Sequence, residues 1–307
     1  MSFLVYIIFL CISSIKYSIG IKNGLGCRDN ENRFVDWYVL YKIPKLSHSS
    51  NPLIRNGSAY MYITSDTVHK EWNLSVKDIG DKTSMPGNTL ASLYNDSIAG
   101  NILWILYNDD PPNSKVVGKY GHAKVYRKNL PEDLSNQYPN LTDAANQIRI
   151  KNPPYNNKEV IKSSASLEFV SFAKSDKWQR DLYSDFVAPQ LKSNLLVESY
   201  LNGPGKLNSN CHGVEVHNVK SVKLQAANIQ FESTQDHSKW VVTMNNKKNK
   251  SWVCIGDINR ANTQYNRGGG TVCLNLLYLW KNYRDSVNDI EPCPKLGIFN
   301  KIRSWFG

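Results

Sequence analysis

The sequence has no run of 18 consecutive apolar residues, so no segment reads as a membrane-spanning helix. It has no C-x-x-C and no cluster of cysteine and histidine at metal-ligand spacing, so the usual pattern of a structural metal site is missing. Acidic residues are in deficit, with 26 Asp and Glu against 37 Lys and Arg and a formal net charge of +11 at pH 7. Such an excess suits a polyanion, because each neutralised phosphate releases counterions. Charge alone does not separate that role from solubility or surface adhesion. A charged content of 21% beside 41% hydrophobic residues is ordinary for a globular chain and argues against disorder.

Lys and Arg are also missing before the apolar run at residues 3–12. That run has the length of a signal-peptide core, and Ser18-Ile19-Gly20 offers a small-residue cleavage site, so residues 1–20 are expected to be a signal peptide cut after Gly20. An uncleaved anchor is the alternative. Five sequons, at Asn56, Asn73, Asn95, Asn140 and Asn249, agree with a secretory route. Losing Cys11 with the signal leaves Cys27, Cys211, Cys254, Cys273 and Cys293, an odd number that leaves a thiol unpaired within a monomer.

The stretch richest in chemistry is residues 236–273, DHSKWVVTMNNKKNKSWVCIGDINRANTQYNRGGGTVC. In its strand-like first part, His237 and Lys239 are two apart and would point to one face. An imidazole and an ammonium sharing a pocket suit a phosphodiester: Lys holds phosphate oxygens while His attacks phosphorus or carries a proton. After the polar hairpin NNKKNK a second strand turns at Gly256, which would leave Asn259 to donate its amide to the same phosphate. Read alone, His237 and Lys239 are equally well ordinary polar residues at a strand end. A second copy, GHAK, carries His122 and Lys124 with the same spacing. Two half-sites would allow one histidine to attack phosphorus while the other protonates the leaving oxygen.

These residues resemble the deoxyribonuclease II family, which is related in fold to phospholipase D. The resemblance rests on CRDNENRFVDWYVLYKIPK near the start, GSAYMYITSD, GNTLASLY and ILYNDDPP after it, and above all on DHSKW, WVCIGDINR and RGGGTVC. It implies an α/β fold of two phospholipase D-like halves, each a mixed sheet flanked by helices, with one active site at their junction. The implied activity is metal-independent, cofactor-free acid hydrolysis of DNA to 3'-phosphate ends through a phosphohistidine. His122 and His237 would do the chemistry, with Lys124, Lys239 and Asn259 on the phosphate oxygens. Also implied are disulfides Cys254–Cys273 and Cys211–Cys293, and a secreted or lysosomal location. The partner expected for Cys27 in the middle of the chain is missing. The alternatives are a secreted nuclease-like protein that binds DNA or a host partner without cutting, and a phospholipid-cleaving enzyme on the same fold.

The expected organisation is an N-terminal half over residues 21–160 and a C-terminal half over residues 161–293, each with one His-x-Lys. After Lys124 the resemblance thins, and residues 127–160 read as a polar surface segment or a degraded strand pair. The turn with Asp109 and Asp110 reads as surface rather than metal-binding. In the second half, residues 176–187 have helical spacing with Pro189 as a stop, and residues 274–290 form a helix with Leu276, Leu277, Trp280 and Tyr283 facing the core. The tail, residues 294–307, is basic and amphipathic; it suits docking on the protein body or contact with an acidic membrane surface. A homodimer is open.

Overall fold

The computed structural model describes residues 8–10, 25–95, 99–108, 124–203 and 205–293. The expected signal cleavage site, His122, Asp109, Asp110 and the basic tail lie outside the described residues. Among those described, no helix is long and apolar enough to cross a membrane.

The first strands are β1 (Ile8–Leu10), β2 (Cys27–Arg28), β3 (Phe34–Val35), β4 (Trp37–Lys42), β5 (Tyr60–Thr64) and β6 (Asn73–Leu74). Of these, β1-β4-β5-β6 form one antiparallel sheet, and β2 pairs with β3. β7 (Trp104–Asn108) and β8 (Lys124–Asn129) form a separate antiparallel ribbon. The remaining strands are β9 (Asn156–Lys162), β10 (Glu168–Lys174), β11 (Leu195–Glu198), β12 (Val216–Leu224), β13 (Ile229–Glu232), β14 (Trp240–Thr243), β15 (Trp252–Gly256), β16 (Gly269–Asn275) and β17 (Val287–Ile290). They make a nine-stranded sheet in the order β13-β12-β11-β14-β15-β16-β10-β9, with β17 beside β12. Only the β11–β12 pair within it is parallel. The architecture is thus mixed α/β with few helices, and the four-stranded sheet is antiparallel rather than mixed.

Alternation explains how the sheets stack. In β4, Trp37, Val39 and Tyr41 enter a core shared with Leu196, Val219 and Val242 of the large sheet, while Tyr38 and Leu40 turn to a second cluster with Tyr60 and Met85. The large sheet is covered on its other face as well, where Phe172, Val197 and Val241 meet Leu182, Tyr183 and Val187. Buried on both faces, its central strands read as continuous apolar runs such as LLV and WVV.

Several local expectations change. The segment over residues 176–187 is broken into a 3-10 turn (Asp176–Trp178) and a π-helical turn (Tyr183–Val187), and Pro189 opens the short helix Ala188–Leu191 instead of stopping one. The last helix is Leu277–Ser286, since Leu274 belongs to β16 and residues 287–290 to β17. Its inward stripe uses Leu279 and Tyr283, and Leu277 is exposed. Residues 127–160 hold two short helices, Glu132–Gln137 and Pro139–Ala145, before β9 carries the chain across residue 160 as an edge of the large sheet.

The disulfides Cys211–Cys293 and Cys254–Cys273 are present. Cys254 and Cys273 are direct cross-strand partners in β15 and β16. Cys27 is disulfide-bonded too, which corrects the expectation of an unpaired thiol there.

Candidate active site

Register assembles the site. Glu198 of β11 lies opposite Trp240 of β14, and Trp240 lies opposite Ile255 of β15. The C-terminal end of β11, the N-terminal end of β14 and the turn after β15 are therefore neighbours at one end of the central strands of the large sheet.

His237 and Lys239 lie in the extended segment leading into β14, not in the strand itself. Asp236, Ser238 and Trp240 turn toward the shared core. Asp236 is fully buried; its Oδ1 accepts the Ser238 N–H at 3.0 Å and its Oδ2 accepts the Tyr41 hydroxyl of β4 at 2.5 Å. The Ser238 hydroxyl also donates to Asp236, and the Trp240 indole N–H reaches the Tyr41 oxygen at 3.4 Å. Because alternate side chains of extended backbone point to opposite sides, these anchors turn His237 and Lys239 the other way.

The His237 ring stacks on Tyr200, with centroids 3.8 Å apart and planes 16° from parallel. Burial pushes its pKa below the usual 6.5, the Lys239 ammonium adds to this, Asp236 opposes it, and Lys42 at the end of β4 lowers it further. The imidazole is thereby biased toward its neutral form. Lys239 is buried and its Nζ donates to the His237 carbonyl at 2.8 Å. Burial also lowers the Lys42 pKa, against the field of Asp236 and Asp78.

Asn259 is tied to the same tyrosine: its Oδ1 accepts the Tyr200 N–H at 3.1 Å. That commits the carbonyl end of the amide and leaves Nδ2 as the end that can donate to a ligand. The turn bearing it is clamped on both sides. The Tyr183 hydroxyl donates to the Ile258 carbonyl at 2.5 Å, and Asp257 Oδ1 accepts the Gly270 N–H at 2.8 Å. Arg260, buried, donates from Nε to Asp181 at 3.4 Å and from Nη1 to Asn218 at 2.6 Å. The RGGG stretch is less a turn than the entry to β16. A Cβ on Gly270 would lie 2.2 Å from the Phe172 carbonyl oxygen, so only glycine lets β16 and β10 approach there.

Of the residues expected from sequence, the structure brings His237 and Asn259 together on Tyr200, with Lys239 bonded to the His237 carbonyl. Lys124 is the first residue of β8, paired with Asn108 of β7. His122 lies outside the described residues. Tyr200, Lys42 and the Tyr41–Asp236 bond escaped sequence reasoning. The DHSKW alternation carried a signal for the inward Asp236 and Ser238, but nothing local marks Tyr200, whose role comes from a partner far along the chain.

Among the described residues, one cluster has metal-like geometry: Cys211, His217 and Cys293, with ligand atoms within 4.8 Å of one another. Both cysteines are spent on their mutual disulfide, and His217 Nε2 is 3.0 Å from Glu215. Four sequon asparagines, Asn56, Asn95, Asn140 and Asn249, are exposed, and Asn73 is half-buried.

The family profile described as Deoxyribonuclease II matches residues 26–125 and 123–293. Plancitoxin-1 of Acanthaster planci is 32% identical over 342 aligned residues, covering 90% of this chain and 94% of that protein. Cell death-related nuclease 6 of Caenorhabditis elegans is 30% identical, covering 90% and 92%, and deoxyribonuclease-2-alpha of Sus scrofa is 28% identical, covering 88% and 91%.

Proposed function

Because the chain belongs to the deoxyribonuclease II family, we propose that it is an acid endonuclease that hydrolyses DNA without a metal, leaving 3'-phosphate ends. The observation that carries this reading is His237, held toward its neutral form beside the Lys239 and Lys42 ammonium groups and within one tyrosine of the Asn259 amide. A neutral imidazole is a nucleophile, and keeping it neutral in acid requires the lowered pKa that this pocket provides.

In the proposed reaction a His237 ring nitrogen attacks phosphorus, an N–P bond forms and the bond to the 5' oxygen breaks. His122, as imidazolium, gives its proton to the departing oxygen. Water then attacks the phosphohistidine, His122 takes a proton from that water, and His237 leaves phosphorus. Lys239, Asn259 and Lys124 hold the non-bridging oxygens, where negative charge builds in the transition state. Two ammonium groups supply the field that a metal would otherwise provide. In this reading the chain comprises two phospholipase D-like halves, residues 21–160 and 161–293, which meet at the site.

The cleaved signal at residues 1–20, glycans on the five sequons and a secreted or lysosomal destination belong to the same reading. So does docking of the basic tail, residues 294–307, on the protein body, with membrane contact as its alternative. Dimerisation is not required by it.

The test is plasmid cleavage by purified wild type, His122→Ala and His237→Ala in excess EDTA across a pH series. Wild type should nick DNA best in acid, and both variants should lose that activity. A requirement for Mg²⁺ or Ca²⁺ overturns the mechanism, wild-type activity in His122→Ala overturns the two-histidine scheme, and an inert wild type that still binds DNA establishes the non-cutting alternative.

A further inference from the structure

Directly behind the site lies a carboxyl group that the reaction above does not use. Glu198, the last residue of β11, is fully buried. Its Oε2 is 2.5 Å from the Ser233 hydroxyl, and its Oε1 has no hydrogen-bond partner among the described residues. The same Ser233 hydroxyl lies 2.7 Å from the Val219 carbonyl oxygen. A serine hydroxyl has one hydrogen, and a carbonyl oxygen can only accept. If the Ser233 hydrogen goes to Val219, the hydrogen in the other contact must come from Glu198. The chain of bonds then runs from the Glu198 acid O–H to Ser233 Oγ, and from Ser233 to Val219.

The alternative assignment leaves an ionised carboxylate wholly out of water, with one oxygen unpartnered. Burying an ion that way costs far more than burying the neutral acid. The groups facing Glu198 favour the acid as well. Asp236, from the segment leading into β14, and Glu232 of β13 are acidic and favour the neutral form; the Ser233 hydrogen bond and the Lys239 ammonium oppose them. Of the two buried carboxyls, Asp236 has the fuller set of donors, accepting hydrogen bonds from Tyr41 and from both the amide and the hydroxyl of Ser238. Burial and the Asp236 charge accordingly push the Glu198 pKa well above its usual range.

We propose that Glu198 is a positioning residue for the His237 half-site, held as a neutral carboxylic acid so that the pocket around Lys239 stays receptive to an anionic phosphodiester. Ionisation would place a second buried negative charge beside Lys239 and Asp236, drawing the ammonium inward and opposing the phosphate. Loss of the Glu198 proton therefore shapes the alkaline limb of the activity profile, in addition to the histidines. The proposal rests on the nuclease reading for its kinetic consequence but not for the protonation state itself.

The variant is Glu198→Gln, a neutral mimic whose amide can donate to Ser233 as the acid does. Infrared difference spectroscopy of wild type minus Glu198→Gln at neutral pH, without DNA, should show the carbonyl band of one protonated carboxylic acid; its absence overturns the proposal. Plasmid cleavage by the variant should stay within about threefold of wild type in acid, and its alkaline limb should move to higher pH. An unmoved limb, or activity lost in a variant that melts as wild type does, also overturns it. Binding of a short duplex in EDTA is followed over the same pH series. If wild type proves inert, binding decides: retention to higher pH in the variant supports the proposal, and identical profiles overturn it. A variant that fails to fold leaves the decision to the wild-type infrared band between acid and alkaline pH, which must bleach as the acid ionises; if no such band bleaches, the proposal falls.

Discussion

Tyr200 holds His237 by its ring and Asn259 by its backbone, so one residue fixes both the proposed nucleophile and a proposed phosphate donor. Replacing Tyr200 by Ala opens the imidazole to water and removes the main cause of its lowered pKa. The His237 pKa, read by NMR titration, should then rise toward 6.5. Loss of alignment should reduce cleavage on the order of 10²-fold. The same shift has a stability consequence. Since the folded pKa lies below the unfolded value of 6.5, the unfolded chain binds more protons in between. The His237 contribution to stability is complete above pH 6.5 and declines as pH falls through that window. His237→Ala should therefore lose less stability than wild type on acidification, as measured by denaturant titration at several pH values.

Lys239→Met keeps the length of the buried stem and deletes the charge. If Lys239 stabilises transition-state charge, cleavage should fall by about 10²- to 10³-fold with the circular dichroism spectrum unchanged. Asn259→Ala should give a loss of similar order, because the amide donor is removed. Retained activity in either folded variant removes that residue from the mechanism.

Tyr41→Phe tests how the small sheet supports the site. The change removes the hydroxyl that donates to Asp236 across a separation of 195 residues and leaves a buried carboxylate short of a donor. Such losses cost about 1–3 kcal/mol, or more for a charged group. A lowered denaturation midpoint with reduced cleavage is expected, and an unchanged midpoint would show that the bond carries no net stability.

Peptide mapping without reduction should recover Cys211–Cys293 and Cys254–Cys273 and show Cys27 linked to none of those four. Replacing both Cys254 and Cys273 by Ser should destabilise the fold by about 3 kcal/mol on the loop-closure estimate.

Strand placement around the site was legible because two-sided burial writes itself as apolar runs: WVV and WVCIG are both strands where expected. The helix over residues 274–290 was overextended because apolar residues at its start belong to β16, and period alone does not distinguish a buried strand from a helix face. At the site, His237, Lys239 and Asn259 were legible from spacing and motif. Tyr200, Lys42 and Glu198 were not, since each acquires its role from strand register and from the packing of the small sheet on the large one, which gather residues near β4, β11 and β14 at one end of the central strands. The neutral Glu198 was least legible of all: a glutamate after an apolar run looks like a strand end entering water.

The tie between Cys254 and Cys273 joins strands that already face one another, so it brings no distant parts of the chain together. A β pair can slide by two residues and still present the same side chains to the same face. Covalent linkage of opposed residues abolishes that slippage at the strand that ends in the Asn259 turn. Reduction should therefore degrade alignment before it degrades folding: a reduced enzyme that keeps its sheet would present the Asn259 amide at a variable distance from His237, and its turnover would become heterogeneous from molecule to molecule.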